Sequence, residues 1–259
     1  MKYEIKISKS ISYDCAKAIN IIVAGSRGSG KTWLVFAMLL QLFQLDTPTQ
    51  IFVVDFKQSD FSRFKNGVLH FGNVASTKEE IFALLEKFVD FMYSRIECMK
   101  SAKFGETALS LSLPLYILIY DEFGAFVPTL DSKERKKHDE LISKIVLLGR
   151  QYNFGLWAIL QQASVGNSGL PSNVKEQAGM IAHMGEATEE SYRQTFGISI
   201  NHPKIRLNSG EGLVWIQGLT MVGNVLPFCA PDLSEIDIWD NLKSNVPDQN
   251  DLYYIFHSK

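Results

Sequence analysis

Residues 19–32 read Ile19-Asn20-Ile21-Ile22-Val23-Ala24-Gly25-Ser26-Arg27-Gly28-Ser29-Gly30-Lys31-Thr32. The run 19–24 is apolar on both faces, which predicts a strand buried on both sides. It ends in a glycine-rich turn with the spacing G-x-x-x-x-G-K-[ST]. Glycines there let the backbone wrap so that successive N–H groups point at a phosphate. Residues 32–45 follow with helical spacing, and the positive end of that helix adds to the anion site. Lys31 can then reach the β and γ phosphates, and the Thr32 hydroxyl can ligate Mg²⁺. The candidate nucleotide-binding residues are thus Gly25, Ser26, Arg27, Gly28, Ser29, Gly30, Lys31 and Thr32, with ATP and Mg²⁺ as cofactors. The alternative is a chance match on a flexible loop; a strand before it and a helix after it argue against that.

Outward from this stretch, strands and helices alternate. Residues 50–56 (QIFVVDF) and 115–120 (LYILIY) are further buried strands, each followed or closed by a carboxylate. Ser76 with Glu79, and Thr77 with Glu80, are two overlapping capping boxes that open a helix to about residue 103. A helix is predicted over 132–151, a strand over 155–160, a helix opening at 173–178, a short strand over 180–183, and a hairpin over 211–225 around Gly218. This order predicts an α/β fold: a mainly parallel central sheet with helices on both faces. Ligands of such sheets sit beyond the carboxyl ends of the strands.

Asp121 and Glu122 follow the strand 115–120. An acid there can hold the Mg²⁺ shell, and a second acid beside it can polarise a water for attack on the γ-phosphate. The bland alternative is a solvated acidic turn. Gly149-Arg150, the strand 155–160, and Gln161-Gln162 come next. A polar residue ending that strand can sense the γ-phosphate, and an arginine at a subunit edge can reach a neighbour's phosphate. Arg150 could equally be a helix-terminal cation that complements the dipole.

The 259 residues allow one large α/β domain, or one domain with a small extension. A hydrophobic share of 46% and a charged share of 21% are ordinary for a globular chain. A net charge of -2 is not that of a protein basic throughout, so nucleic-acid contact would need a local patch or a ring of subunits. Cys15, Cys98 and Cys229 lie far apart without C-x-x-C spacing, which disfavours zinc and suggests reduced thiols in the cytoplasm. The N-terminus has no apolar core of a signal peptide. The most apolar helix, 33–45, is too short to span a bilayer and is interrupted by Gln41 and Gln44.

Several ordered stretches resemble the FtsK/HerA superfamily of ring-shaped ATPases. Residues 53–57 (VVDFK), with Ser59-Asp60-Phe61, resemble its strand ending D-x-K with a downstream acid. Residues 91–99 (FMYSRIECM) resemble its E-M-x-x-R-Y-x-x-M helix, and 119–123 (IYDEF) its I-D-E-[FL]. Gly149-Arg150 with 155–162 (GLWAILQQ) resembles G-R-x-x-G-I-H-L-I-L-A-T-Q, and 170–174 (LPSNV) and 184–188 (MGEAT) also fit. The likeness covers roughly residues 18–232 and is greatest to FtsK-type, TcpA-like DNA translocases of mobile elements.

The resemblance implies a RecA-like P-loop NTPase fold over 18–232, with an N-terminal arm 1–17 and a C-terminal extension 233–259. It implies that Asp121 supports Mg²⁺ (Walker B), that Glu122 is the catalytic base, that Arg150 is a candidate arginine finger acting in trans, and that Gln161 is the sensor. The gap from Arg150 to Gly155 is longer than the family pattern, so Gln162 stays open as the sensor. The implied activity is ATP-driven movement of DNA by a homo-hexameric ring of a mobile element or phage, in the cytoplasm. The superfamily's membrane helices and polarity-reading winged helix have no counterpart in the sequence, so the resemblance implies either a bare motor or one that borrows anchoring and directed loading from a partner protein. The rival readings are a nucleotide-switched docking module for a conjugation or replication partner, and a viral-type packaging ATPase; a small-molecule kinase is more distant.

Other residues carry weaker signals. The run Lys133-Glu134-Arg135-Lys136-Lys137 suggests phosphate-backbone contact or a solvated helix face. Arg27 and Arg63 are lone cations. Asp55 and Lys57 suggest an ion pair or a catalytic role. No chemistry is assigned to His70, His138, His183, His202 or His257. Trp157 and Trp215 are expected in the core, and the aromatic residues 253–256 at a packed end.

Overall fold

The computed structural model describes residues 3–69, 71–161, 170–202 and 205–246. Two short strands, β1 (Glu4–Lys6) and β2 (Ser12–Asp14), pair antiparallel with Ile5 opposite Tyr13. The chain then enters β3 (Ile21–Gly25), α1 (Lys31–Leu42), β4 (Thr49–Asp55), β5 (Val74–Ala75) and α2 (Lys78–Cys98). It continues through β6 (Leu115–Asp121), α3 (Phe123–Phe126), α4 (Ser132–Leu148), β7 (Phe154–Leu160), α5 (Ser172–Glu176) and β8 (Met180–Met184). Last come α6 (Glu189–Phe196), β9 (Glu211–Ile216), β10 (Leu226–Cys229) and α7 (Ile238–Asn245).

The main sheet has the order β10-β9-β8-β3-β7-β6-β4-β5. From β8 to β5 every pairing is parallel, and β9 and β10 close one edge antiparallel. β3, β4, β7 and β8 are buried along their whole length. Each large aliphatic side chain so buried stabilises the fold by about 1.5–3 kcal/mol. Alternation along each strand divides the core in two. Ile51, Val53, Ile117, Ile119 and Trp157 pack with α1, β1 and β2 on one face. Phe52, Val54, Tyr116, Leu118 and Tyr120 pack with α2, α3 and α4 on the other. The α/β sheet with helices on both faces is therefore as the sequence suggests.

The element ends differ from expectation, for local reasons. Only Thr77 caps α2: its hydroxyl accepts from Glu80 N and the Glu80 carboxylate accepts from Thr77 N. α2 stops at Cys98 and passes into a 3₁₀ turn, Met99–Ser101, short of residue 103. α4 stops at Leu148, and Gly149–Tyr152 forms another 3₁₀ turn. A methyl at Gly149 would meet the Phe154 carbonyl at 2.4 Å, so only glycine fits there. The hairpin exists, but its second arm is β10 and not the residues up to 225. Thr220 bonds both the N–H and the C=O of Ile216 and tightens the chain into a longer connection. Trp157 is in the core, whereas Trp215 is only half-buried. Gln162, His70, His257 and residues 253–256 lie outside the described residues.

Candidate functional site

β3 lies in the middle of the sheet, between β7 and β8, and delivers the glycine-rich turn to its carboxyl edge. Gly25 has φ 148°, and a Cβ there would press on Met184 O at 2.4 Å. Gly30 has φ 101°, and a Cβ would meet Gly210 N at 3.0 Å. Ser26, Arg27 and Gly28 are exposed, while Ser29 is buried with no partner for its hydroxyl. Gly30 is the N-cap of α1 and offers no side-chain cap, and the first turn holds no acid. The first N–H groups of α1 are therefore left for an anion. Lys31 Nζ donates to Gly25 O and Ser26 O, each at 2.8 Å, which leaves one of its three donors for a phosphate oxygen. Burial lowers the Lys31 pKa, against the pull of Glu122 and Asp121. Triphosphate chemistry fits these donors.

The acids sit on the same edge because of strand register. Asp55 ends β4 and Asp121 ends β6, and they are direct partners across the parallel pair. Ser59 Oγ lies 3.1 Å from Asp55 Oδ2 and 3.0 Å from Asp121 Oδ2, so its single proton is shared between them. Asp55 is fully buried; its Oδ2 also accepts from Ser62 N at 2.8 Å, and its Oδ1 has no partner. Burial, and then the charge of Asp55, push the Asp121 carboxyl up to about 6. A divalent cation at this edge would oppose both effects. Among the described residues no group of three or more His, Cys, Asp or Glu could hold a metal.

Glu122 has φ 58°, the left-handed region, although it is not glycine. Such a residue carries about 1–2 kcal/mol of strain. Its N–H still donates to Ile159 O at 2.9 Å, so β6 stays tied to β7 while the side chain turns out of the sheet. Lys57 pairs with it at 3.4 Å. The ion pair expected around Asp55 and Lys57 is thus a different one: Lys57 meets Glu122, and Asp55 meets two serines.

The profile of the FtsK/SpoIIIE family matches residues 1–112. The chain fits the FtsK-type P-loop ATPases. It is 26% identical over 230 residues to the FtsK domain-containing protein YdcQ of Bacillus subtilis (strain 168). That match takes in 88% of this chain and 46% of YdcQ, so the chain spans about half the length of the curated relative it matches. The structure resembles the pCW3 conjugation coupling protein TcpA, in its monomer form with ATPγS, at a TM-score of 0.71 and 19% identity over 94% of this chain and 71% of TcpA. It resembles the cytoplasmic domain of the Type VII secretion ATPase EccC of Thermomonospora curvata at 0.67 and 17%, over 95% of this chain and 31% of EccC. It also resembles the genome packaging NTPase B204 of Sulfolobus turreted icosahedral virus 2 at 0.50 and 14%, over 82% of this chain and 98% of B204. At these identities the three likenesses concern the fold.

The other expected site residues are not all brought together. Gln161 follows β7 at the carboxyl edge, exposed, two residues beyond the partner of Asp121. Arg150 is also exposed, but it precedes β7 and so belongs to the amino end of the sheet. Seven strand residues separate it from that edge, about 23 Å at ~3.3 Å each. Within one chain it is far from the phosphate loop. Arg95 anchors its turn: it is buried against the stacked rings of Tyr116 and Phe154 and donates to Pro114 O and Tyr152 O.

Of the basic run, Lys137 pairs with Glu86 at 2.6 Å and Arg135 with Asp139 at 3.5 Å. His138 bridges Tyr120 (3.0 Å) and Asp139 (3.1 Å), and His202 meets Glu189 at 3.0 Å. His183 bonds Thr195 at 2.8 Å, and burial lowers its pKa to about 4. Sequence reasoning quoted Ser59 without giving it a role, and it missed the C-terminal loops that reach the phosphate loop. Ser209 Oγ donates to Gly28 O at 2.7 Å and Gly210 N to Ser29 O at 2.9 Å. A Ser-Gly pair in a turn was the only signal for the latter. Among the described residues no helix is long and apolar enough to cross a membrane.

Proposed function

We propose that this FtsK-type domain hydrolyses ATP with Mg²⁺ and couples hydrolysis to the movement of DNA. The observation that carries the reading is the shared edge: parallel register sets Asp55, Asp121 and Glu122 beside one another at the end of the sheet where the loop Gly25–Thr32 also lies. In this reading the loop N–H groups and Lys31 hold the phosphates, and Thr32 and Asp121 hold Mg²⁺. The metal, when bound, neutralises phosphate charge. Glu122, turned out of the sheet, orients and deprotonates the attacking water, and Gln161 senses the γ-phosphate. Lys57, 3.4 Å away, holds the Glu122 side chain in place.

Arg150 stands at the opposite end of β7, so a role on phosphate needs a second subunit. This supports ATP sites between the subunits of a homo-hexameric ring, with Arg150 acting in trans. The setting proposed is the cytoplasm of a cell that carries a mobile element or phage. In that setting residues 18–232 are the motor domain, 1–17 an arm and 233–259 an extension. The second reading, a nucleotide-switched docking module for a conjugation or replication partner, is favoured by the ion pairs that occupy Arg135 and Lys137, cations a DNA-tracking helix would keep for phosphates. Steady-state ATP hydrolysis with and without linear duplex DNA, over a range of protein concentrations, separates the two. Cooperative, DNA-stimulated turnover supports the motor; ATP binding that ignores DNA at every concentration supports docking.

A further inference from the structure

The carbonyls of the phosphate loop are held by a turn 181 positions away in the sequence. That turn, Asn208–Glu211, is locked on itself. Asn208 N and Nδ2 donate to Glu211 Oε2 at 2.7 and 3.0 Å, and Glu211 N donates to Asn208 O at 3.1 Å. It is also fixed from three sides. Leu207 is buried before it, Ala230 N donates to Gly210 O at 2.8 Å, and Gly185 N donates to Glu211 O at 2.7 Å. From this turn Ser209 Oγ reaches Gly28 O at 2.7 Å and Gly210 N reaches Ser29 O at 2.9 Å. One rigid element thus holds two successive carbonyls of the loop. A trans peptide is planar and carries its C=O and N–H on opposite sides. A carbonyl drawn toward the turn therefore sends the N–H of the next residue the other way, into the loop. The Ser29 N–H does this: it points across the loop to Ser26 O, at a long 3.3 Å. By the same argument the peptide between Ser29 and Gly30 turns the Gly30 N–H inward.

We propose that Ser209 is a positioning residue for phosphate binding: through Gly28 it sets the loop so that the Ser29 and Gly30 N–H groups face the anion before it arrives. The inference rests on the phosphate-loop reading and adds to it a part of the site that lies outside the loop. The composition of the loop explains the need. Three of the six residues 25–30 are glycine, and glycine loses more conformational freedom on ordering than any other residue. A loop left alone would be ordered by the phosphates themselves, and binding would carry that cost. Here the loop is tied on both flanks. Lys31 Nζ holds Gly25 O and Ser26 O, and the Asn208–Glu211 turn holds Gly28 O and Ser29 O. Lys31 keeps a donor for the phosphate as well. Ser209 Oγ spends its one proton on Gly28 O, so it acts on phosphate only through the loop.

The test measures binding of inorganic tripolyphosphate and of ATP, each with Mg²⁺, to the full chain and to its Ser209→Ala and Ser209→Thr variants. Ser209 is exposed, so neither substitution leaves a cavity in the core. Ser209→Ala should weaken both ligands by the same factor, about three- to tenfold, the scale of one hydrogen bond that orders the site. Ser209→Thr keeps the hydroxyl and should restore both. An equal effect on the two ligands separates a phosphate effect from a nucleoside one. The return in Ser209→Thr separates the hydroxyl from a general change in packing. The inference is overturned if Ser209→Ala binds tripolyphosphate as tightly as the parent, if ATP alone is weakened, or if Ser209→Thr is as weak as Ser209→Ala. Each of these results leaves the phosphate loop standing, because the parent still binds. A parent that binds neither ligand overturns the phosphate-loop reading and this inference with it.

Discussion

Asp121→Asn removes a charge that the fold holds under strain. The carboxyl is moved from 3.8 to about 6, chiefly by burial and then by Asp55 facing it across the β4–β6 pair. Each tenfold in acidity is about 1.36 kcal/mol, so the ionised form costs roughly 3 kcal/mol at most. The side chain is only half-buried, and solvent screening reduces this to roughly 1–2 kcal/mol. The folded state binds this proton more tightly than the unfolded chain does. The protonated carboxyl thus lends its full stability below pH 3.8, and that stability is lost as pH rises through about 6. Asparagine keeps a hydrogen-bonding partner for Ser59 and never ionises. The difference in unfolding free energy between variant and parent, from urea melts at several pH values, should grow from about pH 4 to pH 7 by roughly 1–2 kcal/mol in favour of the variant. The same variant should lose hydrolysis. A difference that is flat across this range, or that favours the parent at pH 7, would refute the idea that Asp121 is a charge held at the expense of stability.

Three further outcomes follow from single contacts. Glu122→Gly should be more stable than Glu122→Ala by about 1 kcal/mol, the reverse of the usual order, because only glycine adopts a φ of 58° freely; equal melting curves would remove the strain argument. His183 takes its proton only near pH 4 in the fold and near 6.5 when unfolded. Its contribution is therefore complete above 6.5 and is lost as pH falls toward 4, by up to about 3 kcal/mol, and His183→Gln should flatten that limb of the stability profile. Arg95→Met keeps apolar volume against the stacked rings of Tyr116 and Phe154 but strands the carbonyls of Pro114 and Tyr152. A loss of about 2–4 kcal/mol is expected, with faster proteolysis at the turn Gly149–Tyr152; a variant as stable as the parent would contradict the anchoring role.

What the sequence made legible was local. The apolar run ending at Gly25, the glycine spacing and the helix behind it place the phosphate loop, because each signal lies within a dozen residues. The three carboxylates at strand ends were visible for the same reason. That Asp55 and Asp121 face each other, with Ser59 between them, depends on register between strands whose pairing no local pattern dictates. The capping of the phosphate loop by Ser209 and Gly210 joins positions 181 apart in one case, and periodicity carries no trace of it. Helix ends were misplaced where the chain tightens into 3₁₀ turns after Cys98 and Leu148. The second hairpin arm was misplaced because the turn through Gly218 runs on into a longer connection, with Thr220 bonded back to Ile216, before β10 begins at Leu226.

The most direct test of the central claim is a paired measurement of Mg·ATP affinity and steady-state hydrolysis in the parent and in Glu122→Gln. The site described here predicts that the variant binds Mg·ATP within a few-fold of the parent while turnover falls by at least 10²-fold, the scale expected for loss of a positioned general base. Turnover that survives the substitution, or nucleotide affinity that disappears along with it, would contradict the assignment of Glu122 as the base beside an independent phosphate loop.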